Sequence, residues 1–385
     1  MRTTVVIALV VAACNFEHGA LRGAHDDAGD VRDDAPVMGI DPPWWNGEWQ
    51  YRRRIAVTAG SVHPDKGYVD YTVRLSGLTL QGVRGDCEDV RVVAWSASTW
   101  TELSRDLIGC TDLRFPLPLD IPDSTTWRDA YVYYANPAAP RAPRTGVYRF
   151  VDPATTDRSA DYQRGRMDPW LSTGYDNSLA WNSAGYYTYD TADNSQSSYR
   201  IAVGERDVLV EAEFRHTGCY ANNMQTAVCA RGIIATGTGG TEDADHYYCT
   251  TRAQNPTCND IDQGIYDGDI VKTDNEIIAL QGLTDPPPLV ANQWRKQALA
   301  TFGAGPTQLR FWDADASWPD LGYPPATAIQ ATGTDAVDYT GRGFAGIMTA
   351  QDIGQFRNLV VRRYVEPEPV VVIEGEEVRP ATLMP

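Results

Sequence analysis

The chain has 385 residues, a formal net charge of -18 at pH 7, and only three Lys (Lys66, Lys272, Lys296) among its 33 Lys and Arg. A field of that sign repels phosphate backbones and argues against nucleic acid as a partner. Tyr (20), Trp (11), Gly (33) and Pro (24) favour short strands joined by tight turns, so the expected class is all-β, and the length suits two domains at roughly 150 residues each.

The N-terminus reads as an export signal over residues 1–13. Arg2 gives a minimal positive start, and the apolar run Val5 to Ala13 closes on Val11-Ala12-Ala13-Cys14. As a helix that run rises only about 14 Å, under half of the roughly 30 Å hydrocarbon core, so it is too short to span. The small residues ahead of Cys14 resemble a bacterial lipobox, which implies cleavage before Cys14 and a diacylglycerol on its thiol. Several acyl chains would give stable anchoring. Asn15 follows, where an Asp would favour inner-membrane retention, so the expected address is the outer membrane, at its periplasmic face or the cell surface.

Residues 14–43 form the lipidated cysteine and an acidic tether. Seven acids (Glu17, Asp26, Asp27, Asp30, Asp33, Asp34, Asp41) stand there against Arg22 and Arg32. Few apolar groups are present to offset ordering entropy, so disorder is expected until Pro42-Pro43. Six further cysteines (Cys87, Cys110, Cys219, Cys229, Cys249, Cys258) in an exported chain suggest disulfides. Sequence proximity favours Cys87 with Cys110, Cys219 with Cys229, and Cys249 with Cys258. There is no C-x-x-C and the five His are scattered, which argues against zinc.

Residues 44–139 alternate with period two around Val69 to Leu75, Val90 to Val92 and Ala130 to Tyr134, as strands of a sandwich must. The opening Trp49-Gln-Tyr-Arg-Arg-Arg-Ile55, the middle Asp89-Val-Arg-Val92 and the closing Tyr133-Tyr-Ala-Asn136 resemble a β-sandwich domain of uncharacterised function common in bacterial surface proteins. That domain often precedes a concanavalin A-like, laminin-G-type jelly roll. The segment from Trp95 to Leu119 departs from the pattern. Trp44, Trp45 and Trp49 are expected to pack, closing one end of this sandwich.

Residues 140–165 are a proline-rich linker and lead-in, its prolines favouring extended chain. Alternating segments resume in residues 166–368: Tyr199 to Val203, Val208 to Phe214, Arg231 to Thr236, Glu276 to Leu280, Trp294 to Phe302, Leu309 to Trp312, Gly343 to Thr349 and Phe356 to Val365. So many strands suit two stacked sheets, and several of them resemble concanavalin A-like strands, which implies a jelly roll. Residues 369–385, rich in Pro and Glu, are expected to be a flexible tail, although Val370 to Ile373 could add an edge strand.

No catalytic motif is complete. Glu211 with Glu213, and Glu242 with Asp245, come nearest to the paired carboxylates of a glycosidase without completing the pattern. No Gly-x-Ser-x-Gly elbow occurs, and Thr236 to Gly240 reads as a hairpin turn. No cofactor is required, and calcium is the one metal the Asp-rich loops could hold, with Asp313 and Asp315 first among them. Tyr247, Tyr248, Trp312 and Trp318 stand beside those acids, the mixture of rings and carboxylates that binds sugars. The expectation is a non-catalytic, lipid-anchored envelope protein whose jelly roll binds a polysaccharide or a protein partner. The alternatives are a glycoside hydrolase or lyase with a non-standard site, and a purely structural envelope protein.

Overall fold

A computed structural model describes residues 42–61, 67–165, 179–190, 196–219, 224–232, 246–253, 261–268, 276–277, 292–303, 306–315, 322–325, 328–335, 343–350 and 352–380. Cys14 and its tether lie outside the described residues. Nearly every described element is a strand, so the chain is all-β as the alternation requires.

The first sandwich contains β1 (Tyr51–Thr58), β2 (Thr72–Leu75), β3 (Arg91–Ser96), β4 (Thr99–Leu103), β5 (Asp106–Ile108), β6 (Asp112–Pro116) and β7 (Thr126–Tyr134). The departure segment after Trp95 supplies β4, β5 and β6. Ala97 and Ser98 both hold positive φ (48° and 66°), as a two-residue hairpin between β3 and β4 demands. Side chains alternate as the pleat dictates. Val92, Ala130, Val132 and Tyr134 face a core shared with Val73, Leu113 and Phe115 of β2 and β6. Tyr131 and Tyr133 point the other way.

Trp44, Trp45 and Trp49 do pack, but over the outer face of the large sheet and not at an end. They cluster with Val93, Trp100, Tyr131 and Tyr133. The reason is that Tyr131 and Tyr133 leave two rings on the solvent side, and the preceding chain folds back to cover them. Arg52 lies between Trp44 and Tyr131, its guanidinium 4.8 and 4.7 Å from the ring centroids.

The second sandwich begins with β8 (Phe150–Asp152), β9 (Gln163–Gly165), β10 (Ala180–Asn182), β11 (Tyr186–Asp190) and β12 (Gln196–Ala202). It continues with β13 (Val208–Cys219), β14 (Met224–Gly232), β15 (His246–Ala253), β16 (Ile261–Gly268) and β17 (Glu276–Ile277). Then follow β18 (Arg295–Phe302), β19 (Thr307–Asp315), β20 (Ile329–Asp335), β21 (Phe344–Ala350) and β22 (Asp352–Arg363). One sheet runs β10-β11-β22-β13-β18-β19-β20, with β8 also on β22, and the other runs β17-β16-β15-β14-β21-β12-β9. All their pairings are antiparallel, and the two enclose a core of Tyr187, Val210, Phe214, Val228, Leu299, Phe311, Ile347 and Phe356, the stacked-sheet arrangement of a jelly roll.

Of the two readings of the closing segment, the edge strand at Val370 to Ile373 is the one the fold takes, extended to Val378, in place of a flexible tail. Val370–Val378 forms β23, which pairs antiparallel with β1 at the edge of the first sandwich's sheet, in the order β23-β1-β7-β3-β4. Val371 and Ile373 reach that core, while Glu377 meets Arg52 at 2.7 Å and Glu374 meets Arg128 at 3.1 Å. Without β23 the backbone of β1 would be an open edge. The proline-rich segment is likewise held and not a free spacer. Arg84 donates to the Ala139 carbonyl, Arg105 N–H donates to Pro143, and buried Glu88 accepts from Arg141 and Arg144. From Trp44 onward the chain is one compact unit.

Cys87 is bonded to Cys110, as proximity suggested. Cys229 is buried on β14, opposite Tyr248 of β15. The side chains of Cys219 and Cys249, and all of Cys258, lie outside the described residues. The bridge spans 23 residues, for which the loop-entropy relation gives about 3 kcal/mol. Denaturant unfolding of Cys87→Ser/Cys110→Ser should therefore show the first sandwich destabilised by about 3 kcal/mol, and an unchanged midpoint would contradict that role.

Candidate functional site

A cleft of about 350 Å³ lies where the two sandwiches meet, lined by Arg74, Arg310, Trp312, Tyr323, Arg362, Tyr364, Glu366 and Glu368 among others. Its floor is the outer face of the β22-β13-β18-β19 sheet. On β22, Leu359 and Val361 enter the core, so Arg362 must stand on the opposite side. On β19, Leu309 and Phe311 point inward and leave Arg310 and Trp312 outward. Trp312 joins Leu209, Ala298, Ala300 and Tyr364 in a small apolar cluster on that face.

Arg362 organises the cleft. Its side chain is 1% exposed, and Nη2 reaches Glu368 at 2.6 Å while Nε donates to the Gly322 carbonyl at 2.6 Å. Three phenol rings surround the guanidinium: Tyr323 at 4.3 Å, Tyr364 at 5.5 Å and Tyr71 at 5.8 Å. Gly322 has φ +77°, and a Cβ there would stand 3.3 Å from Val360, so glycine suits the turn that sends Tyr323 inward. The Tyr323 hydroxyl donates to the Thr72 carbonyl on β2 at 2.6 Å, joining the second sandwich to the first. Arg74, from β2, forms the far wall and is held by Asp112 at 2.6 Å.

The electrostatics follow from burial. Desolvation alone would depress Arg362, but Glu368 and the neighbouring phenols outweigh it and hold the guanidinium above its ordinary value. Burial pushes Tyr323 up to about 12, with Arg362 opposing and Glu368 adding. Tyr71 is raised well above its usual range by burial and then by Glu368, to which it donates at 3.0 Å. Tyr364 is raised by burial and by its hydrogen bond to Glu366. Arg310 pairs with Glu366 at 2.8 Å, yet its Nε–H is buried without an acceptor among the described residues.

Such a lining can do two things at once. Trp312 and Tyr364, each at most 5% exposed, bring the border of a packed aromatic cluster to the cleft, apolar surface against which C–H groups can lie. Beside them, the partly exposed pair of Arg310 with Glu366 places a planar donor next to an acceptor, which suits adjacent hydroxyls on a ring, while Arg362, its Nε, Nη1 and Nη2 all donating within the protein, braces the cleft from beneath.

Of the residues singled out in the sequence, Trp312 lines this cleft. Tyr247 and Tyr248 sit on β15 in the opposite sheet, whereas Trp312 faces away from that sheet, so one site does not gather them. Trp318 lies outside the described residues. Asp313 does not stand ready for calcium: it is fully buried, and both its oxygens accept from Arg295, at 2.5 and 2.8 Å. The Asp315 side chain is outside the described residues, and among those described no three His, Cys, Asp or Glu group together as metal ligands. Glu211 and Glu213 share a sheet face, but Lys296 lies 3.6 and 3.3 Å from them and Arg357 holds Glu213 at 2.6 Å. Glu242 and Asp245 are outside the described residues.

No protein-family model and no curated protein matches the chain, so the likeness of residues 44–139 to the surface-protein sandwich remains one of sequence pattern. Among solved structures, it is similar to a Bacillus subtilis protein of unknown function with a galectin-like fold, at 9% identity and TM-score 0.36, covering 56% of this chain and 94% of that one. A carbohydrate-binding module, CBM66, also from Bacillus subtilis, gives 13% identity and TM-score 0.32 over 49% of this chain and 92% of the other. A xylan beta-1,4-xylosidase from Bacillus halodurans gives 12% and 0.34 over 78% of this chain and 52% of that one.

The raised phenol makes the junction sensitive to alkali. Below pH 10 Tyr323 is protonated both folded and unfolded, and its contribution is complete. As pH climbs from 10 to about 12 the unfolded chain releases the proton first, so stability falls. The urea midpoint should drop across that window, and drop less steeply in Tyr323→Phe; equal slopes would refute the assignment.

Proposed function

We propose that the protein is a non-catalytic envelope lipoprotein that binds a polysaccharide in the cleft between its two sandwiches. The observation that carries this reading is the lining itself: an aromatic wall of Trp312 and Tyr364 facing charge-paired Arg310 and Arg362, with a buried Arg310 donor still lacking an acceptor among the described residues. Unsatisfied buried donors are uncommon in native proteins, and a ligand hydroxyl is an acceptor of the right kind. The walls come from both sandwiches, so ligand binding would draw on the junction as a whole. The closure of Glu211 and Glu213 by Lys296 and Arg357 supports recognition over hydrolysis at that pair.

Anchoring is the second part of the proposal. The apolar run ending at Cys14 supports it, and so does the Cys87–Cys110 bridge, since such bonds persist in oxidising compartments. The acidic segment would then hold the sandwiches away from anionic lipid, at the outer membrane.

Two measurements test these claims. On a glycan array the full-length chain is expected to retain a defined set of saccharides. Trp312→Ala should weaken that binding at least tenfold, the order of a lost aromatic stack with its buried area, with thermal unfolding recorded to separate binding from folding. Binding to no saccharide would end the proposal. For the anchor, cells fed labelled palmitate should label the wild-type protein and not Cys14→Ala; label retained in the variant would place the lipid elsewhere or nowhere.

A further inference from the structure

On the same sheet face, beyond the cleft, a second group of rings and guanidinium groups stands apart from the site already described. Along β13 the residues Leu209, Glu211, Glu213 and Arg215 succeed one another on one side. On β22 a bulge between Arg357 and Val360, with Asn358 at φ 53°, resets the alternation, so that Arg357 and Arg362 share that side despite their odd spacing. Leu209 borders the cleft, and Arg215 lies six residues on, about 20 Å at strand rise.

At that far end Arg215 stacks between two rings, 5.1 Å from Tyr186 and 4.7 Å from Trp294, and Arg357 sits 4.1 Å from Trp294. Each guanidinium spends only its Nε within the protein: Arg215 donates to Gln355, and Arg357 donates to Glu213 at 2.6 Å. Their Nη donors meet no acceptor among the described residues. Lys296 and Arg357 answer the two carboxylates Glu211 and Glu213, and Arg215 follows them on the same face with no ion pair to either. Tyr186, Arg215, Trp294 and Arg357 are all half-buried, so their edges reach solvent.

We propose that Arg215 and Arg357, fixed against the Trp294 ring, form a second binding site, for the carboxylate of an acidic polysaccharide. A planar guanidinium offers two parallel N–H donors that match a carboxylate, and stacking on a ring fixes the orientation of that fork before a ligand arrives. The exposed edges of Trp294 and Tyr186 suit the apolar face of the sugar bearing the acid. A chain long enough to reach the cleft as well would gain avidity from both contacts. The second site does not depend on the cleft.

The test titrates the full-length protein calorimetrically with oligogalacturonate and with its methyl ester. Oligogalacturonate should bind with an affinity that falls as NaCl is raised, and the ester should bind at least tenfold more weakly. Arg215→Gln should lower affinity about tenfold, as expected for losing charge-assisted hydrogen bonds. Arg215→Lys, which keeps the charge but loses the stacked fork, should also weaken binding several-fold. Trp312→Ala should leave the binding of short oligomers unchanged. Arg215 contacts only half-buried neighbours, so its variants test the site without opening the core, and Arg357→Gln serves as the second variant. Equal affinity for acid and ester, full affinity in both Gln variants, or no binding of oligogalacturonate would overturn the proposal. Loss in Trp312→Ala alone would assign the acid to the cleft and remove the second site.

Discussion

A guanidinium can be buried only where its charge is answered, and Arg362 is answered from several parts of the chain at once. Glu368 follows it on the same strand's exit, Gly322 and Tyr323 arrive from the β19–β20 connection, and Tyr71 comes from the edge of β2. Removing one member of a buried charge pair costs more than the pair contributes, because the remaining charge is left in a medium that cannot solvate it. Arg362 therefore ties the two sandwiches to one another at the centre of their junction. Arg149, which bridges Asp70 and Glu205, and Arg363, which donates to the Val69 carbonyl, add polar contacts around that centre. The cleft exists because this junction is polar: a continuous apolar interface would have closed it.

Arginine recurs at most of the places where the molecule buries a cation, Lys296 between Glu211 and Glu213 being the lysine that does so. Arg91, Arg105, Arg114 and Arg362 are among its largest fully buried side chains. Arg105 and its partner Glu88 fasten the proline-rich segment; Arg114 packs 5.0 Å from Tyr323 behind the cleft wall. A flat, delocalised cation can lie on a ring and still donate in its own plane, which an ammonium cannot do.

The sequence disclosed the strands better than the places where they meet. Val208 to Phe214 and Trp294 to Phe302 are legible because each alternates against one core, and Phe356 to Val365 is legible as an apolar run although a bulge after Arg357 resets its alternation. Tyr247 and Tyr248, candidate sugar-binding rings by their acidic neighbours in sequence, belong to strand β15, paired along its length with β16 in the sheet opposite Trp312. Val370 to Val378 is ambiguous in sequence: Glu and Pro dominate the count and suggest a tail, while Val371 and Ile373 have the period of a half-buried edge, and the edge prevails. Trp312, the one of the four candidate rings that lines the cleft, stands out in sequence by its polar surroundings. Arg362 does carry a sequence signal, a charge inside the apolar run Leu359-Val-Val-Arg-Arg-Tyr-Val. Its partners could not be read at all: the bond from Tyr323 to Thr72 joins residues 251 positions apart, and no local pattern encodes such a meeting.

The union of β23 with β1 has a mechanical side. Tension drawn along the chain ahead of Trp44 enters the sandwich at the start of β1, which is flanked lengthwise by β23 and by β7. Extraction of β1 would have to slide it past both neighbours together, loading two ladders of transverse hydrogen bonds in shear instead of opening them one by one. The entry point is further clasped by Arg379, whose backbone N–H donates to the Gln50 carbonyl and whose guanidinium donates to that of Gly47. A fold with its last strand stitched beside its first is built to resist being pulled.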